Sequence, residues 1–260
     1  MSLNKENKTH FSWESLILPV LVLVVWELAV DFKLVPTTLI ASPIQVLKDF
    51  VEFIATGKIF IHIGASLSRL LLGFIIGAFV GISLGLVVGT SKRIEKLFHP
   101  TFLFLAPIPP IAWIPLLIIA CGIGEGSKVA LIALGAFFIT YFHTIHGIRA
   151  TDQKLVDLAT VYRKDNWQLV KKILLPSALP NIFTGLRLAL SLSWILLIAA
   201  EVIASSQGLG WLIWDARNFS RPDDMIVGII TIGILGKLSD SILVLLEHHM
   251  LRWRVAFTGK

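Results

Sequence analysis

Residues 73–89 read Gly73-Phe-Ile-Ile-Gly-Ala-Phe-Val-Gly-Ile-Ser-Leu-Gly-Leu-Val-Val-Gly89, a run without charge that has a glycine at every fourth position. Residues four apart share one face of an α-helix, so the glycines form a seam along it. Helices in a bilayer associate where small residues let their backbones approach closely, because lipid tails are as apolar as leucine. The run therefore predicts a membrane helix packed against a neighbour. Direct contact of the seam with a solute is the alternative.

The rest of the chain has the composition of a protein that crosses the membrane several times. Hydrophobic residues make up 55% of it and charged residues 15%, which excludes an ordinary soluble domain. A helix needs about 20 apolar residues to cross the hydrocarbon. The apolar runs are continuous rather than alternating, which favours helices over strands. We therefore predict an all-α polytopic membrane protein with six transmembrane helices, at roughly 14–31, 66–90, 97–121, 128–148, 181–204 and 225–247.

The distribution of Lys and Arg predicts the orientation. With the N-terminus inside, segments 1–13, 91–96, 149–180 and 248–260 are internal and hold fourteen basic residues, against five in the outer segments. Cytoplasmic segments carry the excess of basic residues, so both termini are predicted to be cytoplasmic. The predicted organisation is a tail at 1–13, a transmembrane domain at 14–247 with cytoplasmic helices at 150–176, and a tail at 248–260.

Two segments near the N-terminus need a separate interpretation. The first stretch has no small-residue cleavage site after it, so we interpret it as a retained helix rather than a signal peptide. The segment from Ser42 to Gly57 has apolar residues at helical spacing after a serine cap and Pro43. It is too short and too polar to span, which predicts a helix on the outer membrane surface.

Prolines and ionisable residues within the spans are candidates for a translocation pathway. Irregular backbone at membrane depth needs cover from protein or a water-filled cavity, so Pro109, Pro110 and Trp113 are pathway candidates in the proline-interrupted third stretch. A simple kinked helix is the alternative. The ionisable candidates are Glu27, Arg69, Arg187, Glu201, Lys237 and Asp240.

These ionisable residues have different expected roles. Glu201 would repel an anion, which favours a structural or gating role. Arg187 is able to attract an anion, but contact with the cytoplasmic loop or lipid headgroups is favoured. Lys237 and Asp240 are three apart on a helix and are expected to pair.

The cytoplasmic segment predicts two short amphipathic helices. Thr151 and Asp152 are typical of a helix start, Asp165 or Asn166 is expected to cap the second helix, and Pro176 and Pro180 to end it. Helices this short need the membrane bundle and another protein to cover them. A DNA-binding helix-turn-helix is disfavoured because both ends are tethered to the membrane. The apolar faces are predicted to be Leu155, Leu158, Ala159 and Tyr162 in the first helix and Trp167, Val170, Ile173 and Leu174 in the second.

This segment resembles the cytoplasmic signature of the membrane subunits of binding-protein-dependent ABC importers, which reads Glu-Ala-Ala, three residues, Gly, nine residues, Ile-x-Leu-Pro. Asp157 to Ala159 stand at the triplet, Arg163 at the glycine, and Ile173, Leu175 and Pro176 at the ending. Other segments resemble the nitrate, sulfonate and taurine branch, and the similarity covers roughly residues 16–254. They are Ala106–Leu116, Gly122–Lys128, Ala200–Ile203, Asp215–Phe219, Leu235–Asp240 and Leu251–Arg254.

The resemblance implies a type I importer permease of the MetI-like fold in a bacterial inner membrane. It implies a second permease subunit, ATP-binding-cassette ATPase subunits on the cytoplasmic helices, and an external solute-binding protein. ATP and Mg²⁺ would be bound by the ATPases, and no cofactor, metal or catalytic residue is expected in this chain. The residues expected to couple it to the ATPases are Asp157, Ala159, Tyr162, Arg163, Trp167, Ile173 and Pro176, with anchoring within the subunit as the alternative for the apolar ones.

The expected function is import of a small anion, most similar in signature to a sulfonate or taurine. Nitrate and bicarbonate are alternatives within the same branch. A stand-alone channel or ion-coupled carrier is a rival class, and a membrane-embedded enzyme is another. The sequence lacks a His-Glu-x-x-His or Gly-x-Ser-x-Gly motif that would favour an enzyme.

Overall fold

The computed structural model describes residues 14–36, 39–162 and 165–252, and their regular elements are all helical. A 3₁₀ turn at Pro110–Trp113 precedes α5, and a π turn at Val170–Leu174 joins α8 to α9. The all-α prediction is thereby confirmed for these residues. The helices are α1 Glu14–Asp31, α2 Pro43–Ala55, α3 Lys58–Thr90, α4 Lys92–Leu105, α5 Ile114–Cys121, α6 Glu125–Arg149, α7 Gln153–Val161, α8 Asn166–Leu169, α9 Leu175–Ala204, α10 Leu209–Asn218 and α11 Pro222–Met250.

Within the described ranges, four helical runs are long and apolar enough to cross a membrane: α3, α6, the run Trp167–Ala204, and α11. Counted as one crossing, α4 and the segment Pro110–Cys121 make a fifth, bent by 93°. The predicted interruption of the third stretch by its prolines is therefore confirmed, and the break is a sharp bend. α1 is apolar but contains Glu14, Glu27 and Asp31, so composition alone does not establish it as a crossing. The count of six stays a prediction.

The second crossing is longer than predicted. It begins at Lys58 rather than near residue 66. The first three turns include the polar side chains of His62 and Ser66, which do not belong to an apolar run. His62 Nδ1 accepts a hydrogen bond from the N–H of Gly208, and Ser66 Oγ accepts one from the N–H of Leu209.

The glycine seam of α3 lies against α6. A β-carbon added at Gly77 would lie 2.2 Å from the carbonyl oxygen of Ala133, and one at Gly81 would lie 2.2 Å from Oγ1 of Thr140. Such distances are too short for a real side chain, so only glycine permits this approach. The interpretation of the seam as a packing surface is confirmed. Gly73, Gly85 and Gly89 face Ile132, Thr144 and Ile148 in the same way.

The described chain divides into two compact units. The larger comprises Phe60–Trp211 and the chain from Ile230 onward, and its core is formed mainly by α6 and α9. A β-carbon at Gly135 of α6 would collide with Leu196 of α9, and Gly147 lies against the backbone of Ala178. The residues buried in this core include Leu131, Ile132, Ala136, Leu196 and Leu197.

The smaller unit comprises the described residues up to Ile59 together with Leu212–Ile229. In it, the hydroxyl of Ser42 accepts a hydrogen bond from the N–H of Gln45 at the start of α2. The carboxylate of Glu27 in α1 accepts from the N–H of Ile44 at 3.2 Å. These two acceptors satisfy N–H groups that a helix start leaves open. The predicted helix with Ser42 as its cap is confirmed.

We predict that Gly77→Ala destabilises the protein by about 1–3 kcal/mol, because the added methyl group forces α3 away from the backbone of α6. The matched control is Gly64→Ala in the same helix, where an added β-carbon meets nothing within 4 Å. The control should be neutral or more stable, since alanine favours helices over glycine. Thermal unfolding of both variants in detergent measures the difference. Equal unfolding midpoints would contradict the packing account.

Candidate functional site

The candidate site for a partner is the knuckle, which we define as α7, α8 and the π turn with the short connection between them. The carboxylate of Asp152 accepts from the N–H of Lys154 at 2.9 Å, at the start of α7. The carboxylate of Asp165 accepts from the N–H of Gln168 at 2.8 Å, at the start of α8. The predicted helix starts at Asp152 and Asp165 are confirmed. Arg163, which stands at the signature glycine, lies outside the described residues.

The predicted apolar residues of α7 differ in burial. Ala159 is buried and Val156 is half-buried, and Val156 packs with Leu174 and Ala178. Leu155, Leu158 and Tyr162, at spacings of three and four, are exposed. The four predicted residues share a helix face by their spacing, but only Ala159 is buried within the subunit. Ala159 anchors α7 within the subunit, which was the alternative role considered for the apolar residues.

The outward side of the knuckle carries an exposed apolar patch, which we define as Leu155, Leu158, Val161, Tyr162 and Trp167. Trp167 is 70% exposed and Tyr162 is 73% exposed. Asp157 is also exposed, and its carboxylate accepts from the side-chain amide of Gln153 at 3.0 Å. Ile173 and Pro176 are half-buried. Leu155, Leu158 and Val161 belong to the patch although they were absent from the predicted coupling residues.

Pro176 and Pro180 do not end the second helix, contrary to the prediction. The N–H of Leu175 donates to the carbonyl of Val170, a five-residue spacing that makes the π turn. Pro176 is the second residue of α9 and Pro180 lies further inside it, so both prolines are helical residues that follow the π turn. The knuckle and the span consequently form one continuous helical run, Trp167–Ala204.

The proline pathway candidates lie at the break in the bent crossing. Pro109 is exposed and in extended conformation, and Pro110 begins the 3₁₀ turn that Trp113 ends. Trp113 is half-buried, and its indole N–H is enclosed without a hydrogen-bond partner among the described residues. Ile114 follows it into the core of the larger unit. A role for these residues in a translocation pathway stays a prediction.

Glu201 lies at the centre of a buried charge network. It is fully buried, and its Oε1 accepts from Ser66 Oγ at 2.7 Å and from Arg69 Nη1 at 2.8 Å. Arg69 also pairs with Glu125 through Nε at 2.5 Å and Nη2 at 2.8 Å. The ammonium of Lys128 adds a bond of 2.9 Å to Glu125. Two acids and two bases thus balance one another: Glu201, Arg69 and Lys128 are buried charges that need partners, and Glu125 is 62% exposed.

The same network closes the loop after α9. Oε2 of Glu201 accepts from the N–H of Gly210 at 2.7 Å, and Ser66 Oγ accepts from the N–H of Leu209 at 2.8 Å. Gly208 has φ of +126°, and a β-carbon there would lie 2.3 Å from Glu201 Oε1. Only glycine meets both conditions. The favoured structural role of Glu201 agrees with these contacts. Arg69 and Glu201 were identified from the sequence one at a time. A charge within a membrane span needs a partner of opposite sign, and this requirement was the signal that the two residues pair.

Arg187 pairs with an acid on another span. Its Nε donates to Asp240 Oδ1 at 2.9 Å, so its partner is a second span rather than the cytoplasmic loop, and the predicted contact with lipid headgroups stays a prediction. A second hydrogen bond joins the same two helices: the indole N–H of Trp194 in α9 donates to Ser239 Oγ in α11 at 3.1 Å. It helps to hold the carboxylate of Asp240 within reach of Arg187. The predicted pairing of Lys237 with Asp240 is confirmed, with 3.7 Å between Nζ and Oδ2.

Comparison with known proteins adds an independent observation. Residues 73–252 match the family described as binding-protein-dependent transport system inner membrane component. A putative aliphatic sulfonates transport permease protein of Bacillus subtilis is 39% identical over 98% of this chain and 93% of its own length. A protein of the same description from Escherichia coli is 40% identical over 92% of this chain and 91% of its own length.

A solved structure resembles the fold. The inward-facing MetNI methionine ABC transporter contains a chain that matches 73% of this chain and 94% of its own length, with a TM-score of 0.63. Sequence identity over the match is 16%, so the likeness concerns the fold alone.

We predict that Glu201→Ala destabilises the protein by about 3 kcal/mol, because it leaves buried donors on Ser66 and Gly210 without an acceptor and removes one partner of Arg69. Glu95→Ala is the control, since its ion pair with Arg149 is largely exposed and is worth about 1 kcal/mol or less. Thermal unfolding in detergent compares the two. A larger loss in the control variant would show that the network is not a stabilising element.

Proposed function

This chain belongs to the family of inner-membrane components of binding-protein-dependent transport systems, and on that premise we propose that it is the permease subunit of an ATP-driven importer of a small anion. Sulfonates are the proposed solute class. Both relatives compared above are described as sulfonate permeases, and each matches this chain over nearly its whole length. The chain forms the membrane path and leaves hydrolysis to separate ATPase subunits, which bind ATP and Mg²⁺. An external solute-binding protein and a second permease subunit complete the assembly.

The exposed apolar patch is the observation that supports an ATPase partner. Five large side chains on two short helices face outward, and Trp167 and Tyr162 are among them. Aromatic side chains of this kind dominate the energetics of protein interfaces when a partner buries them. Exposed Lys154, Lys171 and Lys172 lie on the same short helical elements as the patch, and an apolar centre with polar neighbours is typical of an interface. In this proposal the patch seats an ATPase subunit.

The topology that we propose places the knuckle in the cytoplasm. The excess of basic residues in segments 1–13, 91–96, 149–180 and 248–260 supports this orientation. It requires α1 to be a crossing, with Glu14 and Asp31 at its two ends and Glu27 bonded to Ile44. With the bent crossing and the four long runs, α1 completes six crossings. The transmembrane domain then extends over 14–247, with the tails on the cytoplasmic side.

The proposed mechanism follows from the continuity of the knuckle with α9. Movement of Trp167 by the ATPase moves the run Trp167–Ala204, since no break separates them. The other end of that run carries Glu201 and its network. Nucleotide binding shifts the subunit between an inward-open and an outward-open state only if the contacts around this helix differ between the two states. In this mechanism Asp157 and Ile173 lie beside the exposed apolar patch. Ala159 and Pro176 hold the knuckle in position.

The test of this proposal is purification of the chain in mild detergent, followed by reconstitution into vesicles with the solute-binding protein. We predict co-purification of an ATPase subunit and ATP-dependent uptake of a labelled alkanesulfonate. Nitrate and bicarbonate as competitors test the alternative solutes. Uptake that proceeds without ATP or an ATPase would overturn the proposal in favour of a channel or carrier.

We further predict that Trp167→Ala lowers ATP-dependent uptake by about tenfold or more, as removal of a central aromatic anchor does. The matched control is Leu97→Ala, because Leu97 in α4 is also 70% exposed but lies outside the knuckle. The amount of each variant in the membrane is measured alongside uptake. Equal uptake by the two variants would contradict the assignment of the patch to the ATPase.

A further inference from the structure

A polar stripe runs along the outward side of two spans of the larger unit. α9 contributes Thr184, Arg187 and Ser191, which follow one another at spacings of three and four. α11 contributes Lys237, Asp240 and Ser241, again on one side of the helix. The ion pair between Arg187 and Asp240 joins the two rows. All six side chains are exposed or half-buried in the single chain.

The depth of this stripe is what makes it informative. Lys237 lies roughly 20 Å from either end of α11, since each residue adds about 1.5 Å to the length of a helix. This distance puts its ammonium near the middle of the membrane. Its side chain is 77% exposed, so its own subunit leaves it uncovered. A charge that faces lipid at this depth is costly, whereas one that faces a water-filled cavity is not.

The bonding of the stripe leaves Lys237 available for a ligand. Asp240 receives two bonds from Arg187, at 2.9 and 3.4 Å, and Lys237 lies at 3.7 Å from the same carboxylate. The hydroxyls of Thr184, Ser191 and Ser241 each donate to the carbonyl four residues earlier in their own helix. Arg187, Lys237 and Asp240 together carry one net positive charge.

We infer that this stripe lines the water-filled translocation path and that Lys237 binds the transported anion there, an inference that rests on the proposed import function. Lys237 supplies the charge for a sulfonate or similar oxyanion. Arg187 and Asp240 act as positioning residues: their ion pair holds α9 against α11 and sets the distance of the ammonium from Asp240. The neighbouring hydroxyl oxygens keep the surface wettable without adding charge.

The first arm of the test measures access of water to the stripe. In the assembled transporter, with the exposed Cys121 replaced by serine, Lys237→Cys is treated with the anionic reagent methanethiosulfonate ethylsulfonate. The control is Ile242→Cys, which is 60% exposed on another side of the same helix. The Lys237→Cys thiol should react about tenfold faster or more, because thiolate forms in water and not in lipid. Equal rates would overturn the inference.

The second arm measures anion binding during transport. Lys237→Gln should raise the alkanesulfonate concentration needed for half-maximal uptake by about tenfold, the effect of losing one charge-assisted contact. Lys237→Arg should restore most of the affinity, because it keeps the charge. An unchanged half-maximal concentration in Lys237→Gln would overturn the role of Lys237. If the unaltered complex takes up no anion, the proposed function fails, while the labelling comparison still decides whether the stripe faces water.

Discussion

The close approach of α3 to α6 along the glycine seam is the constraint on which the larger unit depends. Each glycine admits an atom of α6 where a side chain would collide, so the seam fixes one register between the two helices. That register brings Arg69 to Glu125 at the start of α6, and it places Ser66 and Arg69 beside Glu201 of α9. The buried charges of Arg69 and Glu201 can then balance one another, with Glu125 pairing to Arg69 from the exposed side. A packing rule for small residues thus determines where the polar network forms.

α9 connects two regions of different chemistry. At one end Glu201 is fully buried and is held by donors from α3 and from the loop that follows α9. At the other end the π turn carries the helix past Pro176 into a knuckle whose large apolar side chains face outward. The middle carries the polar stripe. One helix therefore joins an end held by the hydrogen bonds of Glu201, a polar middle and an end with exposed apolar side chains. This arrangement suits the proposed subunit, which a partner moves from one side of the membrane.

The elements that depend on local chemistry could be predicted from the sequence, and those that depend on distant pairs could not. The glycine period, the Ser42 cap and the Asp165 helix start each need only a few neighbouring residues, and all three are present. Arg69 and Glu201 are 132 positions apart, so their pairing follows only from the packing of α3 and α9. Periodicity placed Leu158 and Ala159 on one face of α7 but could not tell which side packs inward. The prediction that Pro176 ends the second cytoplasmic helix rested on the rule that proline interrupts a regular α-helix. That rule does not anticipate a π turn before the proline.

The account stands on the claim that α9 transmits movement from the knuckle to the Glu201 end. The most direct measurement is the reactivity of an Ile203→Cys thiol in the assembled transporter, with Cys121 replaced by serine. Ile203 is exposed near the end of α9 that lies farthest from the knuckle. In the proposed mechanism, ATP with vanadate changes the labelling rate there, although the proposed ATPase subunit binds nucleotide at the opposite end of the helix. An unchanged rate in a complex that still hydrolyses ATP would contradict it.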